Sequence, residues 1–451
     1  MTGTLHPQVP LAAGTRALVL GLGRTGLSAA RYLDRKGLTV RVADTRANPP
    51  GADALRADVP AAELRTGAFN PSLLDDVAQV VISPGLSLQE AVVHEALERG
   101  LPVVGDIELF AREARAPVAA ITGTNGKSTV TTLVAELANA GGRRALAGGN
   151  LGEPALDLLQ HSTPDLYVLE LSSFQLETTH SLRTVTSTVL NVTPDHMDRY
   201  PSLEAYGAAK ARIFDGCSVA VINADDPIVR DMPRPGQSVV SFSLESHDAD
   251  YTLERLPAPM IVRRGEPLLP LAAMRLQGQH NAANAMAALA MAEALELPLA
   301  PALEALCAFA GLPHRSQWVA DVRGVHYVND SKGTNVGATL AAVRGLAGPL
   351  VVIAGGDGKN QDFSELRDAF RGKVRHVVLI GRDAPVLAAT LAGVCVTERA
   401  SDMLAAVRAA QAAAQPGDTV LLSPACASLD MFRDYSHRGD EFTATVRSLA
   451  A

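Results

Sequence analysis

The chain has 451 residues, 47% of them hydrophobic and only 4% aromatic, and a formal net charge of -8. That length is about three modal domain lengths, so two or three cores are expected, and the absence of a basic block excludes nucleic acid as a main partner while leaving room for small anionic ligands in local basic pockets. Four dispersed cysteines (Cys217, Cys307, Cys395, Cys426) make neither a C-x-x-C pair nor a zinc pattern, and the Ala-rich run after His280 is broken by Asn284, Glu293 and Glu296, so a soluble cytoplasmic protein with no membrane span is expected.

Strand and helix signals alternate from the start. Residues 16–23 (RALVLGLG) are a short apolar run ending in glycines, a helix pattern follows through Leu33, and residues 38–45 form a second strand ending at Asp44. Residues 77–85 close a third strand on Pro84 and Gly85, and residues 101–110 run from a fourth strand into a helix. Such alternation predicts a doubly wound parallel sheet with ligands at the carboxyl ends of its strands. Gly21, Gly23 and Gly26 satisfy G-x-G-x-x-G, with Asp44 where a ribose-binding acid would sit. This leaves a dehydrogenase reading open, although the pattern specifies a phosphate-facing turn more than it specifies nicotinamide.

Residues 118–129 (VAAITGTNGKST) read as a buried strand, a glycine-rich turn and a helix start. Glycines at 123 and 126 let backbone amides approach anionic oxygens, Lys127 supplies a cation, and the helix aims its positive end inward. The position five before Gly126 is Ile121, so the first glycine of a Walker A loop is absent and the loop is a shortened relative. Glu170 then ends an apolar run (residues 165–177), and Ser128 with Glu170 is the pairing that a magnesium ion would use. Asp195, His196 and Asp198 cluster at the end of another strand (residues 186–200), and residues 220–227 close one more. The polar, proline-containing tract of residues 233–270 reads as short strands and loops appended to the sheet. Residues 277–295 read as a helix with His280, Asn281 and Asn284 on one turn. The last portion repeats the strand-then-polar-loop pattern at residues 324–335, 348–363, 374–381 and 418–432. Asp330, Ser331, Lys332, Thr334, Asp357, Lys359, Ser423 and Ser428 are gathered there at strand ends, which predicts a third parallel sheet with a ligand surface.

Eight motifs in order, GTNGKST, LELSSFQLE, NVTPDHMDRY, HNAANA, GLPHR, NDSKGTN, GGDGKNQDF and LSPACASLD, resemble the Mur ligases over nearly the whole chain. GLGRTG with ADTR resembles the N-terminal pattern of the members that add D-glutamate. The resemblance implies a three-domain α/β protein with a mostly parallel sheet in each domain. These are a Rossmann-like domain for the UDP-linked substrate (residues 1–105), a central P-loop-type ATPase domain (106–310) and a Rossmann-like domain for the amino acid (311–451). The implied activity joins D-glutamate to UDP-N-acetylmuramoyl-L-alanine with ATP through an acyl phosphate, in peptidoglycan precursor synthesis in the cytoplasm, and the expected assembly is a monomer.

Residue roles follow from the same resemblance. Gly123, Thr124, Asn125, Gly126, Lys127, Ser128 and Thr129 would cradle ATP phosphates. Asn281, Asn284, His314, Arg315 and Asp330 would contact its adenine, ribose and phosphates, with Arg315 suited to the γ-phosphate. A first magnesium is implied on Ser128 and Glu170, and a second on Glu170, His196 and a carbamylated Lys210; Lys127, Glu170, His196 and Lys210 form the implied catalytic set. Arg24, Thr25, Gly26, Asp44, Thr45 and Arg46 would hold the uridine diphosphate portion, and Asn150 the path to the reacting carboxylate. Thr334, Lys359, Ser428 and Tyr435 would hold D-glutamate. The family pattern carries phenylalanine where this chain has Tyr435, so the hydroxyl is a departure there. Folylpolyglutamate synthases share the ATP loop, but LSSFQLE with GLGRTG and ADTR distinguishes this chain from them.

Overall fold

The computed structural model of the chain describes residues 11–255, 258–276, 278–346 and 348–450. Leu256 and Pro257 within the polar tract, and Gln277 at the expected start of the helix after it, lie outside the described residues. Among the described residues, three sheets follow one another along the chain.

The first sheet is wholly parallel, in the spatial order Glu63–Thr66, Thr39–Asp44, Arg16–Leu20, Val77–Ile82, Val103–Val104. Its strands are short apolar runs because helices cover both faces, and Ala17 through Leu20 have no exposed surface. Winding reverses between Arg16–Leu20 and Val77–Ile82, so a crevice opens beyond their carboxyl ends. Residues 21–26 and 83–86 form its lips. Gly26 is required there, since a Cβ would lie 1.8 Å from the Gly21 carbonyl oxygen.

The central sheet has nine strands. Val118–Thr122 lies between Leu166–Glu170 and Thr184–Val189, and the order continues through Cys217–Asn223 and Ser238–Ser243. Within the polar tract, Tyr251–Glu254 joins Ser238–Ser243 in parallel, and Met260–Arg263 and Glu266–Pro270 follow antiparallel. The helices Lys127–Ala140, Gln279–Ala294 and Leu299–Ala308 share one buried cluster against this sheet. Between the first two sheets runs the helix Asp106–Glu113; its fully buried Phe110 meets Tyr167 edge to face at 5.1 Å. Burying such a ring contributes roughly 1.5–3 kcal/mol.

The third sheet has the order Gln317–Val322, Val325–Asn329, Thr419–Leu422, Leu350–Gly355, Val374–Ile380, Val396–Arg399. All pairings are parallel except the first, a hairpin whose turn residues Arg323 and Gly324 take φ of 53° and 78°. With this one antiparallel edge strand the third sheet is mostly parallel, as expected. The two-residue loop accounts for that strand: a primed turn allows only antiparallel neighbours, whereas a parallel pair needs a crossover.

Candidate active site

Between the strand Val118–Thr122 and the helix Lys127–Ala140, the loop turns through Gly123 (φ 147°) and Gly126 (φ 85°). The amides of Thr124 and Asn125 donate to the carbonyl and side-chain oxygens of Asn191 at 2.9 and 2.8 Å, so they hold the loop to the neighbouring strand end instead of facing a ligand. The amides of the helix's first turn remain for an anion, as does its positive dipole end. Lys127 folds back to donate to the carbonyls of Gly123 and Thr124, both at 2.9 Å. Burial lowers its pKa against the opposing pull of Glu170 and Asp195. Lys210, 1% exposed, donates to the same Gly123 carbonyl at 2.9 Å, and its ammonium lies 4.3 Å from the Tyr206 ring centroid. Burial and the nearby Lys127 charge hold its pKa well below the ordinary lysine value. Two lysine nitrogens converge on one carbonyl in a buried site, where an anion would favour their charged forms.

Glu170 ends the strand Leu166–Glu170 inside this site. Asn150 donates to its Oε1 at 2.6 Å, while Oε2 is buried with no hydrogen-bond partner among the described residues. Burial pushes this carboxyl up, but Lys127, Ser128 and Asn150 together leave it below the usual range, so it is ionised. A capping box of Ser172 and Gln175 starts the next helix and fixes the turn after Glu170. His196, with φ of 57°, packs edge to face against Phe174 at 5.0 Å; burial lowers its pKa to about 4, leaving a neutral imidazole. An orphaned carboxylate oxygen near the Ser128 hydroxyl suits a hard cation. No group of three or more His, Cys, Asp or Glu side chains is arranged to hold a metal among the described residues. Magnesium fits such a sparse donor set, because it keeps water and phosphate oxygens as ligands.

The crevice of the first sheet opens onto the same space. Asp44 accepts from the Leu22 amide at 2.7 Å, from the Arg46 amide at 2.9 Å and from two Arg46 guanidinium nitrogens at 2.9 and 2.7 Å. All four lone-pair positions are occupied by the chain itself, which removes the free ribose-binding acid that a dehydrogenase reading needs. Arg24 donates to the Gly152 carbonyl at 2.6 Å, joining the nucleotide turn to the segment that carries Asn150.

From the third sheet, Arg315 donates to the Ser128 hydroxyl at 2.6 Å and Lys359 to Asp195 at 2.6 Å, while Asn335 and Asn125 exchange amide bonds at 3.2 and 3.4 Å. A cavity of about 650 Å³ results, lined from all three sheets by Arg24, Thr25, Gly26, Asp44, Thr45, Arg46, Asn150, Glu170, His196, Lys210, Arg315, Thr334 and Lys359, together with Thr124 through Lys127. A second cavity of about 240 Å³ adjoins it across Asn125, Gly126 and Arg315, and takes in Thr129, Asn281, Asn284 and Asp330. Asn284 donates to Asn281 at 3.2 Å.

Five expected residues are absent from the linings of both cavities: Gly123 and Ser128 within the loop and helix start, and three residues of the third sheet's domain. His314 is engaged with Asn329 at 3.1 Å, Ser428 is buried, and Tyr435 lies under the Lys332 ammonium, 3.8 Å from its ring centroid. Conversely, Asn335, Phe174, Tyr206, Ser83 and Leu86 line the large cavity without having been singled out, and Lys332, read only as part of the strand-end ligand surface, lines it too. Burial and Arg315 lower Lys332 to about 7. Its position between Asp330 and Thr334 in NDSKGTN was the available signal; Asn335 had none, since its partner is 210 residues away.

Family models described as Mur ligase MurD-like N-terminal domain, Mur ligase middle domain, and Mur ligase glutamate ligase domain match residues 15–105, 121–292 and 314–426. The chain is 52% identical over 448 residues to a UDP-N-acetylmuramoylalanine–D-glutamate ligase of Nitrosococcus oceani, covering 98% of this chain and 99% of that one. A protein of the same name from Methylococcus capsulatus is 52% identical over 438 residues, covering 97% and 95%. Among solved structures, the UDP-N-acetylmuramate-alanine ligase MurC of Thermotoga maritima is similar with a TM-score of 0.62 at 18% identity, covering 96% of this chain and 99% of that one. The MurF ligase of Thermotoga maritima in complex with ADP has a TM-score of 0.62 at 14% identity, covering 91% and 95%. Those two likenesses are of fold; with the family models and the half-identical relatives, they mean that this chain belongs to the Mur ligase family, among its MurD-type members.

Proposed function

We propose that this chain is an ATP-dependent ligase that adds D-glutamate to UDP-N-acetylmuramoyl-L-alanine in peptidoglycan precursor synthesis, working as a cytoplasmic monomer. Residues 1–105, 106–310 and 311–451 serve as its substrate, ATP and amino-acid domains. The observation that carries the reading is the single cavity at which the nucleotide turn, the phosphate loop and the strand-end lysines of the third sheet meet.

The chemistry follows from the difficulty of joining a carboxylate to an amine in water. A carboxylate oxygen of the muramoyl-alanine attacks the γ-phosphorus and ADP leaves; the D-glutamate amine then attacks the acyl carbon, phosphate leaves and the amine proton is lost. The first step brings two anions together. Lys127, Lys332 and Arg315 offset that repulsion in a site already rich in buried cations, and the first-turn amides hold the phosphates. The smaller cavity, with Asn281, Asn284 and Asp330, takes the adenosine. Two magnesium ions would be held by Ser128 and Glu170, and by Glu170, His196 and carbamylated Lys210; when bound they supply positive charge to the transferring phosphoryl group. Lys210 suits carbamylation because its buried amine is biased toward the neutral, nucleophilic form. Lys359 and Thr334 hold the amino acid, and the three-walled cavity shields the acyl phosphate from hydrolysis.

Phosphate release from ATP, with UDP-N-acetylmuramoyl-L-alanine present, tests this directly. D-glutamate should support turnover, whereas L-glutamate, L-alanine and diaminopimelate should not. Turnover with only one of the other amino acids would overturn the specific assignment.

A further inference from the structure

Arg438 is the largest fully buried side chain among the described residues, at 0% exposure. It lies in the first turn of the helix Tyr435–Ala450, where the helix dipole opposes a cation, and no carboxylate lies within ion-pair distance of it among the described residues. Burial pushes it down to about 10. Neither helix stability nor ion pairing explains a guanidinium at such a place.

What it does is join two strand ends. Nε donates to the Ser331 hydroxyl at 3.0 Å, Nη2 to the Ser331 carbonyl at 2.7 Å, and Nη1 to the Cys426 carbonyl at 3.1 Å. Ser331 follows the strand Val325–Asn329, and Cys426 follows its parallel neighbour Thr419–Leu422. The Ser331 hydroxyl passes a bond on to the Tyr435 carbonyl at 2.8 Å, closing the arrangement on the same helix turn. Gly439 extends it to a third segment: a Cβ there would lie 2.3 Å from Nδ1 of His314, the neighbour of Arg315. One turn of helix thus braces the segments that carry Lys332 and Thr334, Ser428, and Arg315.

We propose that Arg438 is a positioning residue for the amino-acid substrate, its guanidinium anchoring the Lys332–Thr334 loop, which lines the large cavity, to the neighbouring strand end at Cys426. The inference rests on the reading that the third domain binds D-glutamate. A lysine cannot replace it, because three acceptors in different directions match a planar fork and not a point charge.

Steady-state kinetics of Arg438→Lys and Ser331→Ala against the unaltered enzyme test it. Arg438→Lys should raise KM for D-glutamate about tenfold, with KM for ATP and for the UDP-linked substrate within about twofold. Ser331→Ala, which removes the Nε acceptor and the hydroxyl's bond to the Tyr435 carbonyl but leaves the two carbonyl acceptors of the guanidinium, should raise the same KM about threefold. A D-glutamate KM that stays within about twofold in Arg438→Lys, or three KM values that rise together, would overturn the proposal. Should Arg438→Lys not fold, Ser331→Ala decides, an unchanged D-glutamate KM counting against it. Turnover of the unaltered enzyme with D-glutamate tests the functional reading separately. If another amino acid supports turnover, the KM comparison is made with that amino acid, and a selective rise still supports the positioning role.

Discussion

Asp44 illustrates how far a single position can be read. Its spacing from Gly21 puts it at a strand end, and it lines the first-sheet crevice, but its chemistry depends on Arg46 and on the Leu22 amide, which together use both of its oxygens. The Arg46 guanidinium and the two amides outweigh burial and hold the carboxyl at about 2, against an ordinary 3.8. A depressed carboxyl contributes stability that is complete above about pH 3.8 and is lost as pH falls through about 2. Asp44→Asn should therefore melt below the parent protein at pH 6, with the gap narrowing between pH 4 and pH 2; a gap independent of pH would contradict this. Lys332 was marked only as one of a polar strand-end cluster, and Asn335 had no local mark at all. Their significance comes from Tyr435 and Asn125, which only folding brings near.

The phosphate loop was legible as an element, since an apolar strand, a glycine turn and a helix start are local patterns. Its internal wiring was not, and the use of two loop amides on Asn191 emerges only from the neighbouring strand. Gly126 shows the cost of altering the turn. Its φ of 85° is left-handed, and a Cβ would lie 2.5 Å from the Asn284 side-chain oxygen. Gly126→Ala should cost roughly 1–2 kcal/mol in backbone strain alone. It should also weaken ATP binding at least about tenfold by displacing Asn284, while binding of the UDP-linked substrate at the first-sheet crevice stays within about twofold. Calorimetric titration of each ligand checks this, and unchanged ATP affinity would contradict it. The buried parallel strands were equally legible as apolar runs, whereas the edge strand Gln317–Val322 was not. Its exposed Trp318 and polar Gln317 and Asp321 give no continuous apolar signal.

At the scale of the molecule, the candidate site belongs to no single domain. Arg24 reaches Gly152, Arg315 reaches Ser128, Asn335 reaches Asn125 and Lys359 reaches Asp195. Contacts across 128 to 210 residues of sequence carry no local pattern, which is why the strands of the three sheets could be read in the chain while the meeting of the sheets could not. On the proposed reading that meeting gives the site its chemistry, because the carboxylate, the ATP and the amine would be held by different domains and react only where the walls converge. Transfer of the γ-phosphoryl group to the substrate carboxylate is the central claim, and isotope transfer tests it most directly. With UDP-N-acetylmuramoyl-L-alanine labelled by oxygen-18 in its alanyl carboxylate, an acyl phosphate requires one labelled oxygen to leave with each phosphate released in the presence of ATP and D-glutamate. Mass spectrometry of the phosphate should find that label, and phosphate released without it would contradict the account.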